Sequence, residues 1–374
     1  MKIASIEAIP IRYPEPNDNG TMRMTVIVRV ETGDGALGWG EAIAMWPEAC
    51  AAVKAMIDKG LGDLLLGGDP LDVEGHWHRM RAHAWWYGRG GIASFAISAL
   101  DIALWDLKGQ ILGVPLHRLM GGRVHESLPA IASIHVTKGS AQANAEEVAD
   151  YMAMGFQGVK MGMGKRGLAG LGVDPARDVA YVQATREAIG SSRRLMMDAG
   201  NGVRWNPAQA IRMTRLFEPF DLDWIEEPLH PDDIEGHRLL RNAVATRIAT
   251  GEREWTPEGY KRLIDSDSVD VIGIDPGRAE GITGFLRVAA HAALARRTVN
   301  AHAWSTSVVT AASLHLSVVS QTAEVFEFKP LPGPAQFDLV ETPIFPVDGY
   351  AIPPDGPGLG IRINETELRR WSAA

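Results

Sequence analysis

The chain has 374 residues, 46% of them hydrophobic and 22% charged, and a net charge of −9. That is enough material for a large core and too much for one small domain. The acidic balance, with no dominant basic patch, excludes nucleic acid and an anionic membrane surface as expected partners; a small anionic substrate stays compatible if a metal supplies local positive charge.

From the N-terminus, MKIASIEAIPIRY alternates like a strand and lacks the apolar stretch of a signal peptide. MTVIVRVET reads as a second strand, and GDGALGWGE as a turn entering a third. Between them PEPNDNGTMRM is polar and rich in turn formers, which predicts a mobile loop. AMWPEACAAVKAM reads as a helix that buries Cys50 as a structural thiol. Cys50 is the single cysteine, so no intrachain disulfide can form, which fits a reducing cytoplasm. IASFAISALDIALWDLKGQILG is apolar on nearly every face and predicts a buried helix ending at Gly113, before Pro115.

From residue 128 the pattern becomes strand–helix alternation. LPAIASIHV, GVKMG, RRLMMD, LDWIE, TRIATGE, DVIGID, TVNAH and VFEF are the expected strands. Their repetition favours an α/β architecture, a closed (β/α)8 barrel, over an open doubly wound sheet. The expected divisions are an α+β capping domain over 1–125, the barrel over 126–328, and a Pro/Gly-rich segment over 329–374 that packs back on the capping domain. No GxGxxG follows a first strand and no GxxxxGK[ST] occurs, so nucleotide readings are weak. No apolar run reaches the roughly 18 residues a membrane span requires.

Asp198, Glu226, Glu252, Asp275 and His302 each close a short apolar run, at steps of 28, 26, 23 and 27 residues. One βα unit of a barrel consumes about 30 residues, and the C-terminal strand ends converge on one face. Three successive carboxylates therefore suit an oxygen-ligated divalent metal, with an Asp/His pair on the next two strands. Asp275 would fix the tautomer of His302, the candidate general base. Lys160, ending GVK, is a base if its pKa is depressed, or a cation for a substrate carboxylate. Glu327 in VFEF is placed for a hydrogen bond at that carboxylate. His135 ends the first barrel strand and is a candidate pocket residue. A lone acidic residue at a strand end is more often a helix cap or surface charge; the shared period is what argues against that here. Glu227 and Glu254 read as supporting or surface residues, and His76, His78, His83, His117, His125, His237, His291 and His315 as structural or solvated.

These motifs resemble the enolase superfamily, in particular its mandelate racemase-like subgroup. GWGEA at 38–42 and ALDIALWDLKGQILGVPLHRLMGG at 99–122 are similar to the family's capping domain. LMMDAGN at 195–201, WIEEPL at 224–229, Gly251–Glu252, Asp275/His302 and Glu327 are similar to its barrel. The resemblance implies magnesium held by Asp198, Glu226 and Glu252, His302 with Asp275 as base on one face of the substrate, and Glu327 at the bound carboxylate. A magnesium-stabilised enediolate formed by a Lys or His base is the chemistry of that superfamily.

Two departures matter. Many subgroup members carry Lys-x-Lys at the end of the second barrel strand, and here the sequence reads Lys160-Met161-Gly162, with Lys165 three residues late. Loss of the second base argues against racemisation and leaves one-base dehydration of a sugar acid (aldonate or aldarate) to a 2-keto-3-deoxy acid. In DAGN, Asn201 stands three residues after Asp198, which separates it from the usual supporting position. The stretches EEPLHPDD and GEREWT resemble those of acid-sugar dehydratases. The alternatives are a cycloisomerase or lactone-opening enzyme, an epimerase using Lys160, or a non-catalytic binding protein on an inherited barrel. Substrate selection is expected from 17–24, Trp46 and Trp85–Arg89, with Arg23 or Arg89 at a second polar or anionic end of the substrate. The aromatic run 85–87 reads as cap-to-barrel core rather than a sugar platform. A homo-oligomer is expected from the resemblance.

Overall fold

The computed structural model describes residues 1–373 apart from 165–167, 201 and 204. The capping part starts with an antiparallel sheet of β1 (Ile3–Glu15), β2 (Thr21–Thr32) and β3 (Leu37–Met45), in that order. Against it pack α1 (Pro47–Met56), α2 (Val73–Ala84), α3 (Ile92–Leu112) and the short α4 (Leu116–Leu119). Cys50 is buried in α1. The α3 helix is central: Gly38 and Gly40 of β3 have no room for a side chain, because a Cβ would meet the α3 backbone at 2.3 and 1.9 Å. The helix stops where Gly113 takes the left-handed conformation.

The segment 14–24 is not a loop. β1 and β2 stay in register from Glu15–Thr21 onward, joined by one tight turn over Pro16–Asp18. Asn17 is buried, donating to Glu15 Oε1 at 2.9 Å and to the Leu331 carbonyl at 2.8 Å. Polarity signalled a turn, but long-range hydrogen bonds from the far end of the chain fix it in place.

Among the described residues, eight parallel strands follow: β4 (Leu128–His135), β5 (Gly158–Gly162), β6 (Arg194–Asp198), β7 (Trp224–Glu226), β8 (Arg247–Thr250), β9 (Val271–Ile274), β10 (Thr298–Ala301) and β11 (Phe326–Phe328). Between them run α5 (Ala141–Ala153), α6 (Pro175–Ile189), α7 (Pro207–Phe217), α8 (Ile234–Ala243), α9 (Pro257–Asp265), α10 (Gly281–Leu294) and α11 (Ser307–Val319). Neighbours pair in sequence order, and β11 returns to pair with β4. A parallel bridge between Val299 and Ala323 joins the remaining seam. The result is a TIM-type barrel. Ile131, Met196, Trp224, Ala249, Val271 and Val325 form its inner core.

The tail contains α12 (Pro334–Phe337), β12 (Tyr350–Ala351) and α13 (Glu365–Trp371). It touches both parts. β12 pairs with the start of β4, Gly358 hydrogen-bonds to Val114 and Leu116, and Ser372 bridges to Ile11. Among the described residues, no helix is long and apolar enough to cross a membrane.

Candidate active site

Strand alternation carries the site residues to the mouth of the barrel. Two positions beyond the inner-core residues Ile131, Met196, Trp224 and Val325, on the same strand face, stand Ser133, Asp198, Glu226 and Glu327. In the register of β4, β5 and β6, Ser133, Lys160 and Met196 stand abreast. A cavity at this mouth is lined by Asp198, Glu252, Lys160, His302, His135, Ser133, Ile134 and Arg278 from the barrel, Trp304 from the loop after β10, and Arg23 and Met45 from the cap.

His302 follows β10 directly, its backbone N–H donating to the Ile274 carbonyl at 2.8 Å. Its Nδ1 lies 2.6 Å from Asp275 Oδ2, and its Nε2 faces Glu252 Oε2 at 3.4 Å. Asp275 is fully buried and is fixed in turn by the Gly277 N–H on Oδ1 at 2.8 Å. With Nδ1–H donating to Asp275, Nε2 is the nitrogen left to exchange a proton on the cavity side.

Lys160 stands across the site. Its Nζ lies 2.6 Å from Glu226 Oε2 and 2.7 Å from Glu327 Oε2, and Asn300 donates to the other oxygen of Glu327 at 2.7 Å. Burial alone would lower the lysine's pKa, but the charges of Glu226 and Glu327, with Asp198 and Glu252, hold it well above its ordinary value. With those carboxylates charged, Lys160 stands as a cation paired to Glu226 and Glu327. A Cβ on Gly162 would stand 2.8 Å from His135 Nδ1 and 2.9 Å from the Ile134 carbonyl. The His135 ring therefore fills the space that a second lysine's stem would enter.

Asp198, Glu226 and Glu252 are all buried. Burial chiefly, and the neighbouring carboxylates after it, hold Asp198 and Glu226 above the usual carboxylate range despite Lys160. Burial pushes Glu252 up too, but His302, Arg278, Lys160 and Arg253 outweigh it and bring Glu252 down to about 2. Among the described residues, no three ligating side chains stand together as a ready-made cage. Glu226 is engaged by Lys160, and Glu252 by His302 at 3.4 Å and Arg253 at 3.7 Å. The donor set nonetheless fits a hard divalent cation: oxygen donors on consecutive strand ends, crowded in a buried site where a cation would relieve their repulsion.

Two arginines that sequence reasoning passed over stitch this mouth together. Arg253 lies 2.9 Å from the buried Glu227 and donates to the Gly200 carbonyl at 2.7 Å, linking the loops after β6, β7 and β8. Arg278 donates to the Glu252 carbonyl at 2.8 Å and stands 3.6 Å from Asp275 Oδ2. Glu41, from GWGEA, is fully buried and binds the loop after β10: Ser305 and Thr306 hydroxyls and the Val309 N–H all donate to it, as does Thr25. A lone glutamate inside an apolar strand was the available signal for it. Ser133 was legible too, sharing the strand phase of His135.

Several expectations change. Trp46 is 63% exposed and lies outside the cavity lining, while its neighbour Met45, with φ at 62°, turns in. Arg89 is exposed and faces Glu258 at 3.5 Å, away from the cavity. Trp85, Trp86 and Tyr87 are 64, 84 and 52% exposed, so they are not cap-to-barrel core. They follow α2 directly and precede the positive-φ glycines Gly88, Gly90 and Gly91. Asn201 and Lys165 lie outside the described residues.

Comparison with known proteins identifies the family. Residues 8–121 match the mandelate racemase/muconate lactonizing enzyme N-terminal domain, and residues 143–367 match the enolase C-terminal domain-like family. The chain belongs to the enolase superfamily, in its mandelate racemase-like subgroup. It is 34% identical to a 3,6-anhydro-alpha-L-galactonate cycloisomerase of Streptomyces coelicolor, over 97% of this chain and 95% of that one. It is 30% identical to a D-galactarolactone cycloisomerase of Agrobacterium fabrum over 99% of both, and 29% identical to a D-gluconate dehydratase of Thermoproteus tenax over 99% of this chain and 74% of that one. Among solved structures, a racemase from Streptomyces coelicolor with bound magnesium superposes with a TM-score of 0.88 at 31% identity, covering 99% of this chain and 100% of that one.

Proposed function

We propose that this protein is a magnesium-dependent dehydratase of a sugar acid, an aldonate or aldarate, that yields a 2-keto-3-deoxy acid. The observation that carries the reading is the one-sided placement of the base. His302 is oriented by Asp275 at 2.6 Å, while Lys160 across the site is tied to two carboxylates and Gly162 leaves no second lysine beside it.

Asp198, Glu226 and Glu252 would hold the magnesium, which supplies positive charge to the substrate carboxylate. Glu327 and Lys160 would orient that carboxylate. His302 Nε2 takes the proton from the carbon beside it, and Asp275 stabilises the imidazolium. The electron pair freed from that C–H bond forms the carbon–carbon double bond as the β-carbon–oxygen bond breaks. His302 returns its proton to the departing hydroxyl, which leaves as water. The enol then takes a solvent proton at C3 to become the keto acid.

A second reading is favoured by the names of two relatives at 30% identity or more, both cycloisomerases. It uses the same His302 step with a ring oxygen as leaving group. That oxygen stays tethered, so no water is lost. A panel of sugar acids and their lactones with magnesium, followed by semicarbazide detection and mass spectrometry, separates the two. Keto acid one water lighter than the substrate supports dehydration; a keto acid of unchanged mass from a lactone or anhydro acid moves the assignment to cycloisomerisation. Silence across the panel overturns both. Cytoplasmic location and assembly into a homo-oligomer belong to the same proposal, and size determination in solution tests the latter.

A further inference from the structure

The cavity has two walls of different origin. The reacting groups, His302, Lys160, Asp198 and Glu252, stand on the barrel, whereas Arg23 and Met45 come down from the cap. Arg23 is on β2, and only 8% of it is exposed. Its guanidinium carbon lies 4.5 Å over the Trp304 ring, and its Nη2 stands 2.9 Å from Asp18 Oδ2. Trp304 is two residues after His302, so the guanidinium rests on the loop that follows the base. Behind it Lys329 lies 5.4 Å from the same ring and is itself paired with the buried Glu15. This backing holds the arginine where it is. Its Nε–H is buried and meets no acceptor. The guanidinium is thus fixed at the cavity wall, opposite the reacting groups, with one side on Trp304 and one nitrogen on Asp18.

Resting on the reading of His302 as base at one end of a sugar acid, we propose that Arg23 receives a second carboxylate at the other end. The preferred substrates are then dicarboxylates, aldarates rather than aldonates. A planar guanidinium stacked on an aromatic ring binds a carboxylate with charge-assisted hydrogen bonds. The terminal hydroxyl of an aldonate carries no charge and accepts more weakly. Discrimination of roughly 10–100-fold is expected from one such interaction.

The test uses matched aldarate and aldonate pairs that share their chain configuration, with magnesium and the full-length protein. Binding is read by calorimetry and turnover by kcat/KM, for the unmodified chain, Arg23→Met and Arg23→Lys. The unmodified chain is expected to favour the aldarate by roughly 10–100-fold, and Arg23→Met to bring the ratio to within about threefold. Arg23→Lys keeps the charge without the fork and should fall between; it carries the comparison if Arg23→Met does not fold. Equal treatment of the pair by the unmodified chain, or equal loss on both substrates in Arg23→Met, overturns the proposal. Arg23-dependent preference in binding without turnover leaves this assignment standing and sinks the dehydration reading. Turnover without any Arg23-dependent preference does the reverse.

Discussion

At the scale of single residues, the chemistry depends on where protons and charges are held. His302→Asn keeps a polar group near the Nδ1 position but removes the nitrogen that exchanges the proton. It should lower kcat on the order of 10²–10⁴-fold while calorimetric magnesium binding survives, because His302 is not among the oxygen donors. Unchanged kcat in that variant would remove His302 from the mechanism. Asp198, Glu226, Glu252, Asp275 and His302 were legible because they share one spacing and one position relative to a strand end. Arg253 and Arg278 were harder, whereas Arg23 was among the pocket candidates and does line the cavity. An arginine in a loop looks the same in sequence whether it faces solvent or a carbonyl, and only the closed barrel shows which carbonyl is near. Trp46 and Arg89 read as pocket residues because they lie in capping-domain stretches expected to select substrate, yet both lie outside the lining of the cavity.

At the scale of elements, cap and barrel are joined by buried polar contacts as well as apolar packing. Glu41 on β3 accepts from Ser305, Thr306 and the Val309 N–H at the start of α11. Burial raises its pKa against the pull of those hydrogen bonds. Glu41→Ala would leave these donors without an acceptor and should cost about 2–4 kcal/mol, read from the denaturant midpoint. A midpoint equal to the unmodified chain's would show that water replaces the carboxylate at no cost. At the opposite end of the barrel, Glu324 binds Arg247 at 2.8 Å and Arg194 at 3.0 Å. Burial raises it, but hydrogen bonds from Arg247, Arg194 and Thr298 outweigh that and bring its carboxyl down to about 2 from 4.5. A depressed carboxylate stabilises the fold above its unfolded pKa, and that contribution is lost as pH falls from about 4.5 through about 2. Glu324→Gln should therefore be less stable at neutral pH by about 1–3 kcal/mol, after allowance for partial exposure, and the gap should close in acid. A gap independent of pH would point to packing instead of charge.

The eight barrel strands were legible from their apolar runs, four of them closing on a carboxylate, and α3 from its apolar faces and its closing glycine. The 14–24 hairpin was not, because what orders it is Leu331, more than three hundred residues away. The aromatic run 85–87 failed for a related reason: hydrophobic character does not by itself set burial, and the run that leaves the end of α2 is exposed.

At the scale of the whole molecule, crowding acidic groups into one buried mouth is costly where Lys160 and the arginines only partly offset their charge, and a magnesium ion bound there would couple to folding. Magnesium at about 100 times its Kd should raise stability by about 2.7 kcal/mol, and chelation should reverse that and abolish turnover together. A thermal midpoint indifferent to magnesium and to chelator would contradict the metal assignment. One-base proton abstraction by His302 followed by β-elimination is the proposed reaction. It is tested most directly by running the best sugar-acid substrate in heavy water with magnesium, beside His302→Asn, and following carbon-bound deuterium by NMR and product mass together. The expected product is a keto acid that has lost one water and carries solvent deuterium at C3, with none of it formed by the variant. Recovered substrate carrying deuterium at the α-carbon in inverted configuration, with no water lost, would contradict it.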